Sequence, residues 1–248
     1  MKPIIQISKL VKKYDGASVV AVDSLELQIM EGDIFGLLGP NGAGKTTTIS
    51  MLCGLISSDS GVIRINELNQ KDDLEEIKKI IGVVPQELAL YDNLTATENL
   101  KFFGKMYGLD SKYLQSRIKF FLDKFSLTEK ANKFVSTFSG GMKRRLNLIA
   151  GILHSPKILF LDEPTVGIDV QSKNVIIDYL KDLNQEGTTI IYTSHLMEEA
   201  ENLCTNISII DFGKEIAKGT PQHLINENMD CNNLEEIFLK LTGRSVRE

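Results

Sequence analysis

Gly39-Pro40-Asn41-Gly42-Ala43-Gly44-Lys45-Thr46 stands between the apolar run Asp33-Ile34-Phe35-Gly36-Leu37-Leu38 and the segment Thr47-Thr48-Ile49-Ser50-Met51-Leu52. The octet fits G-x-x-x-x-G-K-[ST], and a strand before it with a helix after it is the setting in which that spacing wraps phosphates. Its glycines let backbone N–H groups turn toward an anion, and the following helix adds roughly half a positive charge at its N-terminus. In such a loop Lys45 meets the β- and γ-phosphates of a nucleotide, and the Thr46 hydroxyl ligates Mg²⁺. The octet therefore predicts an α/β fold built around a phosphate-binding loop.

The flanking sequence agrees. Strands are expected at Ile4 to Leu10, Val19 to Val22, Leu25 to Ile29 and Asp33 to Leu38, then at Gly61 to Ile65 and Ile80 to Val84, with a charged helix over Lys71 to Lys79. From Glu87 to about Gly151 the period becomes helical: Leu114, Ile118, Phe121, Leu122 and Phe125 fall at i, i+4, i+7, i+8 and i+11, and Thr95 with Glu98 makes a capping box. Strand character returns at Ile158-Leu159-Phe160-Leu161 and Thr189-Ile190-Ile191-Tyr192, continuous apolar runs of the kind covered on both faces of a parallel sheet. The expected organisation is one domain with an antiparallel β flank: an α/β core over 1–86 and 152–220, a helical subdomain inserted over 87–151, and a tail over 221–248. The tail is polar until an amphipathic helix at Leu234 to Leu241, which Gly243 caps.

Composition narrows the class. The chain has 248 residues, 28 basic and 33 acidic side chains, a net charge of −5, and 42% hydrophobic and 25% charged residues. A chain this long buries roughly 70–75% of its unfolded surface, so it needs no disulfide or metal to fold. These values exclude a disordered, collagen-like or rod-like protein. No run reaches the length of a membrane span, and lysines interrupt the N-terminal apolar residues before a signal core forms, so a cytosolic protein is expected. Cys53, Cys204 and Cys231 lack any paired or metal-ligand spacing and read as buried apolar residues. The acidic balance disfavours a nucleic-acid partner, and Lys143-Arg144-Arg145 reads as a solvated helix edge.

Two further segments carry chemistry. Ile158-Leu159-Phe160-Leu161-Asp162-Glu163 is a buried strand ending in two carboxylates: Asp162 can hold the Mg²⁺ shell, and Glu163 can orient or deprotonate an attacking water. Ser139-Gly140-Gly141, opening the helix that continues through Lys143 to Leu148, is a second N-terminal anion site with Ser139 as cap. Two phosphate loops in one chain leave two arrangements open. Either the helical block folds back onto one nucleotide, or two chains sit head to tail and each nucleotide lies between one loop from each.

In this order the motifs resemble the ATP-binding subunit of an ABC transporter over nearly the whole chain. The resemblance implies that Phe138 to Met142 is the signature loop, with Phe and Met where the family usually has Leu and Gln. It implies that Thr47 joins the phosphate contacts, that Gln86 after Val83-Val84-Pro85 links Mg²⁺ to the helical subdomain, and that Tyr14 stacks on adenine. Gly167-Ile168-Asp169 matches the loop before the dimer seam, with Val170 where the drug-exporter branch often has proline, and His195 matches the switch histidine near the γ-phosphate. Leu94 to Leu100, Gly141 to Leu146 and Leu234 to Gly243 are similar to the daunorubicin-type drug and lipid exporters. The resemblance thus implies ATP and Mg²⁺ as cofactors, Glu163, His195 and Lys45 as catalytic residues, a second ATP-binding subunit in a homodimer, and a separate polytopic membrane subunit. A soluble ABC ATPase acting on DNA or ribosomes is the alternative, although such relatives carry coiled-coil insertions or paired ATP domains. A small-molecule kinase has no use for Ser139-Gly140-Gly141 or His195.

Overall fold

The computed structural model describes residues 2–243. Two sheets form the core. The first is antiparallel, ordered β2 (Val22–Met30), β1 (Pro3–Lys12), β4 (Ser60–Ile65), β5 (Leu68–Asn69). The second has six strands, ordered β10 (Lys214–Gly219), β9 (Asn206–Asp211), β3 (Ile34–Leu38), β8 (Thr189–Ser194), β7 (Ile158–Asp162), β6 (Ile81–Val84). It is parallel from β9 to β6 and closed by the antiparallel β10 hairpin.

Alternation along the central strands sorts their side chains onto two faces. Ile158, Phe160, Phe35, Leu37, Ile191 and Ile210 join the apolar cluster shared with the antiparallel sheet and α1 (Lys45–Leu52). Leu159, Leu161, Leu38, Ile190, Tyr192 and Ile209 join the opposite cluster. There they meet the helices α3 (Ala96–Met106), α4 (Ser111–Lys124), α5 (Gly140–Ile152), α6 (Val170–Gln185) and α7 (Met197–Leu203). Both faces are covered, which is why β7 is apolar up to Asp162 and β8 is apolar on both faces from Ile190 to Tyr192.

Several expectations change. Val19 to Val22 is not a strand of its own: the chain turns there, and only Val22 enters β2. The charged helix is α2 (Leu74–Ile80), starting after the Asp72-Asp73 pair, and β6 begins one residue later than expected, at Ile81. The polar stretch after Thr220 contains α8 (Pro221–Glu227), capped by the Thr220 hydroxyl with Pro221 in the first turn. The tail helix is α9 (Leu234–Thr242), ended by Gly243 in the left-handed conformation; the final residues of the expected tail, 244–248, lie outside the described part. All three cysteines are buried. Lys143-Arg144-Arg145 is not a solvated edge. Arg144 is 8% exposed and donates to the carbonyls of Gln86 at 2.7 Å and Pro85 at 3.4 Å, while Arg145 donates to Phe125 O at 2.7 Å.

Candidate functional site

The glycine loop joins β3 to α1 as its spacing predicts. Gly44, the residue before α1, has φ 105°, and no side chain caps the helix. A Cβ at Gly44 would run into the carbonyl oxygen of Ala21, so both the conformation and the space require glycine. The first N–H groups of α1 thus face the loop without a side-chain acceptor. Lys45, 5% exposed, crosses the loop and donates to the carbonyls of Gly39 at 2.9 Å and Pro40 at 3.2 Å. Asn41 and Gly42 are exposed at the loop tip, Ala43 is buried, and Thr46 is exposed on the first turn of α1. Tyr14 is half exposed, and its hydroxyl lies 3.3 Å from Thr47 Oγ1, which sets the ring beside the start of α1.

Glu163 is where the motifs meet. Its carboxylate lies 3.1 Å from Lys45 Nζ, accepts a hydrogen bond from Gln86 Nε2 at 3.2 Å, and sits 3.3 Å from His195 Nδ1. Glycine loop, Gln86, the end of β7 and the residue after β8 therefore converge on one buried carboxylate, 4% exposed. The backbone of Glu163 is left-handed, with φ 47°, a conformation that costs a side-chain-bearing residue about 1–3 kcal/mol and concentrates at functional sites. Thr193 at the end of β8 holds the turn: its hydroxyl accepts from Glu163 N at 3.0 Å and donates to Asp162 Oδ1 at 2.6 Å. No side chain caps α7; Ser194 instead holds the turn around His195, its hydroxyl accepting from Leu196 N at 2.9 Å.

Ser139 caps α5 as expected, accepting from Met142 N at 3.3 Å, and Ser139 and Gly140 are exposed. Among the described residues no hydrogen bond or ion pair joins Ser139, Gly140 or Gly141 to the glycine loop. Gly141 instead lies against Asp169 and Ser172, where a Cβ would collide with both side chains. Asp169 caps α6 by accepting from Ser172 N and Ser172 Oγ, each at 2.8 Å, and these bonds hold its carboxyl below the usual range. The signature segment and the loop before α6 are thus packed together within one chain.

Some functional positions were not legible in the sequence. Thr193 bridges both carboxylate residues, Arg144 holds Gln86 from α5, and Asn147 holds the same stretch through Ala89 N at 3.2 Å. Burial pushes the Arg144 guanidinium down, and the nearby Asp162 and Glu163 charges oppose that. Only the stretch Thr193-Ser194-His195, a polar strand end, hinted at the first.

A family model described as ABC transporter matches residues 22–166. The chain belongs to the ABC transporter family. Within it, the chain is an ATP-binding subunit that hydrolyses ATP. It is 50% identical over 239 residues to the linearmycin resistance ATP-binding protein of Bacillus subtilis (strain 168), covering 96% of this chain and 75% of that protein. It is 40% identical to Nod factor export ATP-binding protein I of Cupriavidus metallidurans, over 95% of this chain and 77% of that protein. A solved structure of the ATP-binding subunit of an ABC transporter superposes with a TM-score of 0.87 at 27% identity, covering 96% of this chain and 99% of that one. A dimeric ATP-binding cassette in a post-hydrolysis state bound to ADP and Pi has the same fold, with a TM-score of 0.80 at 24% identity over 87% of this chain and 98% of that one.

Proposed function

We propose that this ABC ATPase powers export through a separate polytopic membrane subunit, working as a head-to-tail pair on the cytoplasmic face of the membrane. The observation that carries the reading is the convergence of Lys45, Gln86 and His195 on Glu163. That convergence puts a phosphate-binding cation 3.1 Å from a candidate base. The names of the relatives, linearmycin resistance and Nod factor export, support export over the DNA or ribosome alternative.

In this reading the phosphates lie on the backbone of Gly39 to Lys45 with Thr46 and Thr47, and adenine stacks on Tyr14, since stacking needs only an exposed aromatic face. Lys45 exchanges its carbonyl partners for phosphate oxygens. Glu163, freed from Lys45, orients the attacking water and takes its proton, and His195 lies beside it to bind the γ-phosphate. The residues present suit Mg²⁺. Asp162, the Thr46 hydroxyl and the Gln86 amide oxygen are hard oxygen donors, and among the described residues too few carboxylates gather for an all-protein cage, as suits a cation held partly by phosphates. Bound there, the ion would neutralise charge on the β- and γ-oxygens. Ser139-Gly140-Gly141 would serve the nucleotide of a second copy, and their packing against Asp169 supports a seam formed by both segments together.

In this reading the membrane subunit would dock on the groove of about 750 Å³ between α2, β6 and the end of α3, which is lined by Leu55, Lys78, Phe103, Met106, Tyr107 and His154. Leu55 and Met106 are each 70% exposed. Glu163→Gln tests the catalytic core: it keeps the size of the side chain and removes the base. The variant is expected to bind MgATP, to form a dimer on size-exclusion chromatography, and to turn over about 10²–10⁴-fold more slowly. A variant that hydrolyses ATP at the wild-type rate would refute the assignment of Glu163.

A further inference from the structure

Besides Asp162 and Glu163, a third buried carboxylate is tied to the same segments. Glu199, on α7, is 7% exposed. Its Oε2 accepts from Thr165 Oγ1 at 2.6 Å and from Tyr192 OH at 2.6 Å, the two hydroxyls lie 3.0 Å apart, and its other oxygen lies 2.6 Å from Lys173 Nζ. Each partner belongs to a different functional segment. Thr165 follows Glu163 by two residues, Tyr192 precedes His195 by three, and Lys173 follows Asp169 by four.

We propose that Glu199 is a positioning residue for ATP hydrolysis, which through Thr165, Tyr192 and Lys173 locks the turn after Glu163 to the turn that carries His195; this rests on the ATPase reading above.

The strained backbone of Glu163 is the reason such a lock is needed, because a left-handed glutamate persists only where its neighbours over-determine it. Upstream the anchor is Thr193, which receives Glu163 N. Downstream, Pro164 has no N–H to give, and the bond from Val166 N back to Glu163 O is long, at 3.4 Å. Thr165 is therefore the first firm anchor beyond the strained residue, and its hydroxyl goes to Glu199. Since Glu199 lies on α7, which begins two residues after His195, and bonds Tyr192 three residues before it, the same carboxylate ties down the chain on both sides of His195 and so its distance from Glu163.

The partners differ in weight. A buried carboxylate is costly unless paired, and hydrogen bonds to a charged group are the stronger kind. Thr165 and Tyr192 are buried, whereas the Lys173 side chain is 36% exposed and borders a cavity of about 240 Å³ lined also by Asn174, Ile177, Glu198 and Asn202. Burial pushes the Glu199 carboxyl up, but Lys173, Thr165 and Tyr192 together hold it below its ordinary value, so it stays ionised and ready to accept both hydroxyls. The hydroxyl pair should therefore matter more than the solvent-screened lysine.

The test compares Thr165→Val, Thr165→Ser, Glu199→Gln and Lys173→Met in the purified full chain. Three quantities are read: turnover of MgATP, affinity for a fluorescent ATP analogue, and amide hydrogen exchange over residues 162–169 without nucleotide. Thr165→Val and Glu199→Gln are expected to lower turnover by about ten-fold or more. Affinity should stay within about three-fold, since α1 and its loop are untouched, and exchange should quicken in 162–169 but not in α1. Thr165→Ser should restore all three, and Lys173→Met should fall between. Should Glu199→Gln fail to fold, Thr165→Val decides alone, because it removes one hydroxyl and keeps the shape. Turnover in Thr165→Val close to wild type would overturn the proposal, as would a loss of affinity in step with turnover or exchange that quickens throughout the chain. A wild-type chain without ATPase activity would instead overturn the parent reading, and the positioning role with it.

Discussion

The Lys45 ammonium is satisfied twice over, by the carbonyls of Gly39 and Pro40 and by Glu163, so nucleotide binding at this residue is an exchange of partners. Lys45→Ala removes the cation and leaves a buried carboxylate without it. ATP affinity should fall about ten- to a hundred-fold, the worth of one charge-assisted hydrogen bond, and turnover should vanish. Titration calorimetry with MgATP checks the first and phosphate release the second. Lys45 and Glu163 could be read from the sequence because each sits at a fixed place in the glycine loop or at a strand end, whereas Gln86 and His195 were singled out only by the family resemblance. Thr193 and Glu199 could be read in neither way. Their work depends on which strands are neighbours in space, and β8 lies between β3 and β7 only after the crossovers are made. Arg144 was misread for a related reason: a basic triplet on a helix looks solvated until the stretch Pro85-Gln86 is found packed over it.

At the scale of elements, local signals did well wherever the chain decides its own structure. Thr95 and Glu98 form the full capping box on α3, each bonding the other's backbone N–H. Thr95→Ala should cost about 1 kcal/mol, seen as a fall of roughly 2–4 °C in melting temperature for a chain this size. ATP turnover by the isolated subunit should stay unchanged. The strands β9 and β10, and the helices α6 to α8, carried no motif, and their apolar positions acquire a face only against the central sheet. Ser139 is a different case, since its side chain caps α5 from an exposed turn. Ser139→Arg should leave α5 folded and nucleotide binding intact, yet abolish the MgATP-dependent dimer of the Glu163→Gln variant. Size-exclusion chromatography with MgATP and with MgADP reads this out, and an undiminished dimer would refute a seam that includes Ser139.

For the whole molecule, the groove between the core and α3 joins two measurable properties. His154 stacks on Tyr107 with ring centroids 3.6 Å apart and contacts Ile81 O at 2.8 Å, pinning the end of α3 to β6. Burial holds its pKa below the usual value of about 6.5, with the bond to Ile81 opposing. The unfolded chain therefore takes up the proton first as pH falls, and the stability from a neutral His154 is present above about pH 6.5 and lost below it. The melting temperature should drop between about pH 7.5 and 5.5 more steeply in the wild type than in His154→Gln, which keeps a donor and cannot titrate there. Met106→Glu, on the same groove, should reduce recovery of a polytopic partner by affinity capture from detergent extracts while leaving the free subunit's ATPase rate alone.

The strand order also sets a timetable for birth on the ribosome. Among the described residues β3, which ends at the phosphate loop, pairs only with β8 and β9. Its first partner is thus synthesised some 150 residues later, from Thr189 onward. At 5–20 residues per second this leaves Ile34–Leu38, apolar at all but one position, without a neighbour for roughly 8 to 30 seconds. Until then the nascent chain can complete the antiparallel β1–β2–β4 unit and the helices α3 to α5, but not the nucleotide site. A polypeptide released early, anywhere before Thr189, would carry every residue of the glycine loop with no sheet to hold it, and would be a client for chaperones rather than a weak ATPase.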